Sequence, residues 1–499
     1  MASEHPAGAA TPEGAASATG AGPLQPGQRV DHWQLVRLLH RGGMADLWEI
    51  EAPGEEADQP LIMKVPRLRG GEDPAAIVGF EVEQMILPAL RGPHVPRFVA
   101  RGDFSRQPYI VMERLPGESL EPRIDASPLA VQEVADIGER VALALHALHR
   151  QRLVHLDVKP GNVMFRPDGQ AVLIDFGLSR HDSLPDLLDE ELPLPLGTGP
   201  YISPEQVRRV RHDPRSDLFA LGAMLYHLTT GHRAFGAPES LRGLQRRLYE
   251  QPVPPRQWRQ DCPPWLQEVI LCCLEVDPDR RWQSGAQLAM ALRDPAQLPL
   301  TERAARLHPA GRWPTFRRWL KQGAGAAATP ASGALARKRA QTYGGAAQRI
   351  ARSPIVLAAL DIDHAGSALL ESVRETVRRV LVTEPGARLA CLSVMKTQGI
   401  SMDRLVDDQG RSIHVQQLVA LQAWARPIGQ SFAFDEGRLT FHVLEAPDAA
   451  SAIIDFARRT QVDHIVMGAR AASALRQYLG SVSSQVVAQA PCTVTVVRT

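Results

Sequence analysis

The sequence predicts two folded bodies: an α+β body of two lobes over residues 29–295, and an α/β body with a doubly wound parallel sheet over residues 353–499. Three patterns point there. Residues 1–28, and a stretch around 322–345, are dominated by Ala, Gly, Pro and other residues that bury little. They read as a disordered tail and as part of a linker spanning 296–352. In the first body strand-like runs come first and helical spacing follows, the order of two lobes with a ligand cleft between them. In the second, strands and helices alternate, which argues parallel strands with helices on both faces.

The first body opens with strand-like Trp33 to Leu39, Leu47 to Glu51 and Leu61 to Val65, the first pair joined by Gly42-Gly43 as in a hairpin. A helix is expected from Ala75 to Leu90 and a short strand from Tyr109 to Glu113. Val134, Ile137, Val141, Leu145 and Leu148 then recur at helical spacing, so one face of that helix is buried. Further helices are expected at Asp217–Thr230, Pro264–Leu274 and Ser284–Leu292. In the second body Ile355–Leu360, Arg388–Val394, Leu439–Leu444, His464–Met467 and Thr493–Val497 read as strands. Ser367–Val382, His414–Arg426, Ala449–Thr460 and Val482–Ala488 read as helices.

Composition narrows the class. The 499 residues are 44 % hydrophobic and 22 % charged, which excludes wholesale disorder and fibrous repeats. With 56 basic and 55 acidic residues the net charge is +1, so no general field attracts nucleic acid or an anionic membrane. No nucleic-acid partner and no integral membrane segment are expected. Cys262, Cys272, Cys273, Cys391 and Cys492 form no C-x-x-C pair, and the start of the chain lacks the basic and apolar pattern of a secretory signal. A reducing, cytoplasmic setting is expected.

The chemistry is concentrated in short motifs. Residues 153–164 read Leu-Val-His-Leu-Asp-Val-Lys-Pro-Gly-Asn-Val-Met; Asp175-Phe176-Gly177 follows an apolar run, and Lys64 sits upstream in Ile-Met-Lys-Val. In this order and spacing they resemble a bacterial Ser/Thr protein kinase of the type similar to eukaryotic kinases, across about residues 31–293. The resemblance implies a protein kinase fold, ATP and Mg²⁺ as cofactors, and protein substrates. It assigns Asp157 as the base for a substrate hydroxyl, Lys159 as the residue steadying the transferred phosphate, and Asn162 and Asp175 as oxygen ligands of the metal. Lys64 is implied to contact the α- and β-phosphates, paired with a glutamate on the next helix. Glu81 and Glu83 both stand there, and the family pattern fits Glu83 better. The glycine loop departs from the family: His40-Arg41-Gly42-Gly43-Met44-Ala45 keeps only the central glycine, although Gly42 and Gly43 still let the backbone approach phosphate. Leu39, Leu47 and Met112, with backbone at Glu113 and Leu115, are implied around adenine.

A second departure is Leu156, where many kinases carry an arginine that pairs with a phosphorylated activation segment. Activity independent of phosphorylation of that segment is therefore expected. Residues 178–196 offer only Ser179 and Ser183 as hydroxyls. They are acidic at Asp182, Asp186, Asp189, Glu190 and Glu191, a charge that suits basic substrates or is merely solvated. By resemblance Thr198 bonds near Asp157 and Lys159, Glu205 pairs with Arg281, and Asp217 braces the catalytic loop. Trp313, Phe316, Trp319 and Leu320 among basic residues suggest a short amphipathic helix in the linker.

The second body resembles the universal stress protein family across about residues 353–499, through Ile355 to Asp361, the run His464 to Arg470, and Gly480-Ser481-Val482. The resemblance implies a second nucleotide site at Asp361, Gly468, Gly480 and Ser481, near the carboxyl ends of the strands. Ala471 stands where nucleotide-binding members keep a glycine, so an empty regulatory or dimer-forming domain is the alternative. Thr493–Val497, as an edge strand, would pair two copies. The expected function is transfer of the ATP γ-phosphoryl to Ser or Thr of proteins, with self-phosphorylation, regulated by a stress-related C-terminal domain. The rivals are a nucleotide-sensing pseudokinase scaffold and a stress-signalling adaptor.

Overall fold

The computed structural model describes residues 24–52, 59–67, 74–309, 319, 353–397, 412–435, 437–469 and 481–498. The amphipathic stretch 312–321, apart from Trp319, lies outside the described residues, as do Gly480 and most of the tail and linker.

The first lobe is an antiparallel sheet of strands β1 (Trp33–Arg41), β2 (Ala45–Glu51), β3 (Leu61–Pro66), β4 (Phe98–Gly102) and β5 (Tyr109–Glu113). A two-residue strand, Arg29–Val30, pairs with β1, and the order continues β1-β2-β3-β5-β4. β5 is buried throughout: Tyr109 and Val111 join one apolar cluster with Trp33, Trp48 and Met63, while Ile110 and Met112 join the other, with Phe80 and Ile86 of the next helix. That is the period-2 alternation of a strand covered on both sides. β4 was not anticipated; its Phe-Val-Ala-Arg-Gly is half-exposed at the sheet edge and carries little alternation.

Helix α1 (Pro74–Ile86) stops short of the expected Leu90. Pro88 has no N–H to continue the ladder, and the chain turns through a 3₁₀ segment, Leu87–Ala89. The second lobe is built on α2 (Val131–Arg150), whose predicted stripe from Val134 to Leu148 is buried. Short strands β6 (Val163–Phe165) and β7 (Ala171–Leu173) pair antiparallel beneath the cleft. The chain then forms α3 (Leu187–Glu191), α4 (Arg215–Thr230), α5 (Pro264–Cys273) and α6 (Gly285–Arg293).

α4 is buried from Ser216 to Thr230 and ends at Gly231 in the left-handed conformation, φ 71°. It crosses α5 at Gly222, where an added Cβ would fall 2.2 Å from Cys273 Cβ. Gly222→Ala sets a helix-propensity gain of about 1 kcal/mol against overpacking of about 1–3 kcal/mol or more. A Cβ cannot rotate out of an overlap this deep, so overpacking wins. Chemical denaturation of the full chain should show net destabilisation of about 1–2 kcal/mol.

The second body has β8 (Ile355–Leu360), α7 (Ser367–Thr383), β9 (Arg388–Lys396), α8 (Ile413–Phe432), β10 (Leu439–Ala446), α9 (Ala449–Thr460), β11 (His464–Gly468), α10 (Ser481–Gln489) and β12 (Thr493–Val497). All neighbours are parallel in the order β10-β9-β8-β11-β12, with β12 at an edge. Central β8 has all six residues buried; Val356, Ala358 and Leu360 face one cluster, Ile355, Leu357 and Ala359 the other. α8 runs beyond the expected Arg426 through Pro427, because Ile428 beyond it is fully buried. Among the described residues no helix is long and apolar enough to cross a membrane.

Candidate active site

Alternation on β3 buries Leu61, Met63 and Val65 and leaves Lys64 at the cleft. Its Nζ lies 2.5 Å from Glu83 Oε2 and 3.0 Å from Asp175 Oδ1. Glu83 is thus the helix partner, while Glu81 lies beside Glu191 of the activation segment instead. Burial by itself would lower the Lys64 pKa, but the carboxylates of Asp175 and Glu83 outweigh it and raise it. Lys64 in turn holds the Asp175 carboxyl down to about 2, and burial raises Glu83 against the same lysine's pull. The set is therefore locked as one cation between carboxylates. α1 comes this close through Gly79, where a Cβ would sit 3.2 Å from the Gly177 carbonyl oxygen.

Two site residues lie in the left-handed region, Leu156 of the catalytic loop (φ 63°) and Asp175 beyond β7 (φ 66°). Each such residue costs about 1–3 kcal/mol and persists only where its surroundings over-determine it. For Leu156 the surroundings are visible. Buried Asp217 accepts from the backbone N–H of Leu156 at 2.8 Å and of His155 at 2.9 Å, with His149 Nε2 at 2.9 Å. Gln206 Nε2 donates to the Leu156 carbonyl at 2.7 Å.

Asp157 stands at the centre of the remaining residues. Its Oδ1 accepts from Thr198 Oγ1 at 2.6 Å, and its Oδ2 from Lys159 Nζ at 2.7 Å and Asn162 Nδ2 at 3.1 Å. Lys159 Nζ also reaches Thr198 Oγ1 at 3.3 Å. Asn162 spends its N–H groups on the carbonyl and carboxylate of Asp157, so its amide oxygen is the atom available to a cation. With the carboxylate of Asp175 it forms a pair of hard oxygen donors, which fits Mg²⁺.

Glu205 and Arg281 form a bidentate buried pair at 2.9 and 2.8 Å, and Arg281 also donates to the carbonyls of Glu275, Arg215 and Val276. This fixes the end of the segment carrying Thr198. Leu39 and Leu47 are half-buried on β1 and β2, while Met112, Glu113 and Leu115 are buried where β5 leaves the sheet. The Glu113 side chain is engaged by Arg166 and the Arg97 N–H, and its own N–H donates to the Arg97 carbonyl, which leaves its backbone carbonyl for a ligand. Gly42 occupies a tight turn, its N–H donating to Ala45 O at 3.0 Å; Gly43 is exposed, as is His40.

The activation segment departs from a merely solvated acidic loop. Asp186 caps α3 and pairs with Arg211 and Arg180, Asp189 pairs with Arg209, and Asp182 pairs with Arg180. Ser179 is buried and donates to the His155 carbonyl, which leaves Ser183 as the exposed hydroxyl of the two anticipated. Arg247 is among the residues that escaped sequence reasoning: buried, it donates to the carbonyls of Ile202, Leu244 and, at 2.8 Å, Gly199. Burial lowers its guanidinium to about 10. It shapes the Thr198–Glu205 segment through backbone oxygens, which leave no signature in a sequence.

In the second body Asp361 follows the end of β8 and pairs with His364 Nδ1 at 3.0 Å. Gly468 ends the adjacent β11, and a Cβ there would press Leu369 of α7 at 3.0 Å. Ser481 opens α10.

A two-lobed fold with a lysine–glutamate pair above the cleft and an Asp-Lys-Asn loop below is the protein kinase fold. Residues 63–293 match the protein kinase domain family model, and residues 353–498 match that of the universal stress protein family. The chain therefore carries a protein kinase domain followed by a universal stress protein domain. Serine/threonine-protein kinase PknB of Mycolicibacterium smegmatis is 30 % identical over 265 residues, covering 52 % of this chain and 42 % of that protein. PknA of Mycobacterium tuberculosis is 30 % identical over 289 residues, covering 55 % of this chain and 65 % of that protein. The chain thus spans less than two thirds of these relatives' length. The solved kinase domain of Mycobacterium tuberculosis PknI aligns with a TM-score of 0.41 and 25 % identity, over 55 % of this chain and 100 % of that one.

Proposed function

We propose that this chain transfers the γ-phosphoryl group of ATP to serine or threonine hydroxyls of proteins, itself included, as a non-specific serine/threonine protein kinase. The observation that carries the reading is the bonded set Asp157, Lys159, Thr198 and Asn162, facing Lys64, Glu83 and Asp175. Phosphoryl transfer demands positioning and charge neutralisation, and each member of the set supplies one of these. Asp157 orients the acceptor hydroxyl and takes its proton. Lys159 steadies the moving phosphoryl oxygens, with Thr198 holding it in line. Lys64, fixed by Glu83, holds the α- and β-phosphates. Asn162 and Asp175 hold Mg²⁺, which when bound neutralises charge on the phosphate oxygens. Leu39, Leu47 and Met112 flank adenine, with the backbone of Glu113 and Leu115 as its polar contact.

Two features support activity without phosphorylation of the activation segment. Leu156 offers no charge to a phosphate, and Asp186, paired with Arg211 and Arg180, already anchors that segment without one. Five free cysteines fit a reducing, cytoplasmic setting. Asp361 and Gly468, side by side at the ends of β8 and β11, remain the proposed second nucleotide site, together with Ser481 and Gly480. β12 remains the proposed dimer edge. Incubating the protein with Mg²⁺, ATP and a basic protein substrate, then identifying the phosphorylated amino acids, tests the assignment. Phosphoserine and phosphothreonine are expected; phosphotyrosine alone would contradict it.

A further inference from the structure

The activation segment does not end in solvent. α3 is wedged between α1 of the kinase domain and the stress-protein sheet. On the kinase side Leu187 and Leu188 are buried in the same cluster as Ile77 and Val78. On the other side Glu190 and Glu191 meet residues nearly two hundred positions away or more. Arg388, the first residue of β9, donates from Nη1 and Nη2 to Glu190 Oε1 and Oε2, both at 2.7 Å. Such a fork is the strong, directional form of an ion pair. Arg459 of α9 donates to the Glu190 carbonyl at 3.0 Å.

His442 of β10, fully buried, completes the contact. Arg388 Nη2 lies 3.3 Å from its Nε2, and an arginine can only donate, so Nε2 is the acceptor and the ring proton sits on Nδ1. Nδ1 lies 2.9 Å from Glu191 Oε1 and donates to it. Burial and the adjacent guanidinium keep the imidazole neutral, as this tautomer requires. The register pairs Ala390 with Thr440 and Leu392 with His442, so Arg388, Thr440 and His442 project from one face of the sheet. A further contact lies at Gly437 (φ 80°), where a Cβ would fall 2.9 Å from Pro185 Cδ.

We propose that this face of the stress-protein domain is a receptor for the kinase's own activation segment, holding α3 in place so that the catalytic set stays assembled without phosphorylation. The state it holds is the competent one. With α3 seated, the Lys64–Glu83 pair is closed and Thr198 is bonded to Asp157. A five-residue helix does not persist unaided, so its position depends on these partners. The inference deepens the kinase reading by assigning the C-terminal domain its point of action.

The test is a charge swap in the full-length protein: Glu190→Arg alone, Arg388→Glu alone, and both together. Two readouts are followed, phosphoryl transfer to a basic peptide with Mg²⁺ and ATP, and hydrogen exchange of residues 184–192. Each single variant is expected to lose transfer roughly 5- to 150-fold, the usual span of inter-site coupling, and to lose protection over 184–192. The double variant should recover both, a rescue that general damage to the fold would not give. Protection of peptides from β8 and β9 reports whether the second domain remains folded. Unchanged transfer and protection in the single variants would overturn the proposal. Increased transfer would overturn it too, since the contact would then restrain the kinase. If the wild-type protein transfers no phosphate, the exchange readout still decides whether Arg388 holds α3, separately from the kinase reading.

Discussion

Asp157→Ala is expected to lower phosphoryl transfer by about 10²- to 10⁴-fold, the contribution of a positioned general base. The carboxylate accepts bonds from Thr198, Lys159 and Asn162 at once, so its removal also leaves Lys159 with Thr198 alone and Asn162 with only the Asp157 carbonyl. The effect should fall on kcat, because Lys64, the proposed phosphate contact, stands on β3 of the other lobe. The fold should survive: the loop backbone is braced by Asp217 and Gln206, neither of which bonds the Asp157 carboxylate. Nucleotide-induced thermal stabilisation equal to that of the wild type would show this. Loss of nucleotide binding together with transfer would place Asp157 in the fold rather than the chemistry.

The largest expected loss of stability is at Arg281. Removing one partner of a buried pair leaves the other charge uncompensated, at about 3–5 kcal/mol. Arg281→Met strands Glu205, which is 4 % exposed, and also leaves the carbonyls of Glu275 and Arg215 without their donor. Arg281→Met with Glu205→Leu should be less destabilised than Arg281→Met alone, since the stranded carboxylate is then gone. Arg281→Lys should also destabilise, because an ammonium cannot reproduce the fork. Denaturant titration followed by far-ultraviolet circular dichroism checks the series. A double variant as unstable as the sum of the singles would show that packing against Phe219, 5.0 Å from the guanidinium, dominates instead.

The kinase core was legible because its chemistry sits in short motifs whose order alone is informative. Lys64 lies far from Asp157, Asn162 and Asp175 in sequence, yet it meets Asp175 at the cleft. The choice of Glu83 over Glu81 rested on the family pattern, and the geometry places Glu83 against Lys64. Strands of the second body were legible because β8, buried on both faces, reads as one apolar run. Other features left no trace. Gly79 matters for an atom it lacks, and Arg247 and Gln206 act on carbonyl oxygens that every residue carries. α3 reads as an acidic loop, because five residues show no periodicity. The Arg388–Glu190 contact joins residues 198 apart in two different domains, a pairing no local pattern encodes.

Intact-mass spectrometry of the purified full-length protein after incubation with Mg²⁺ and ATP, beside the Asp157→Ala variant, tests the central claim most directly. Phosphate increments in the wild type and none in the variant are the predicted result. Equal increments in both proteins would contradict the account, because transfer would then proceed without the base on which the site is built.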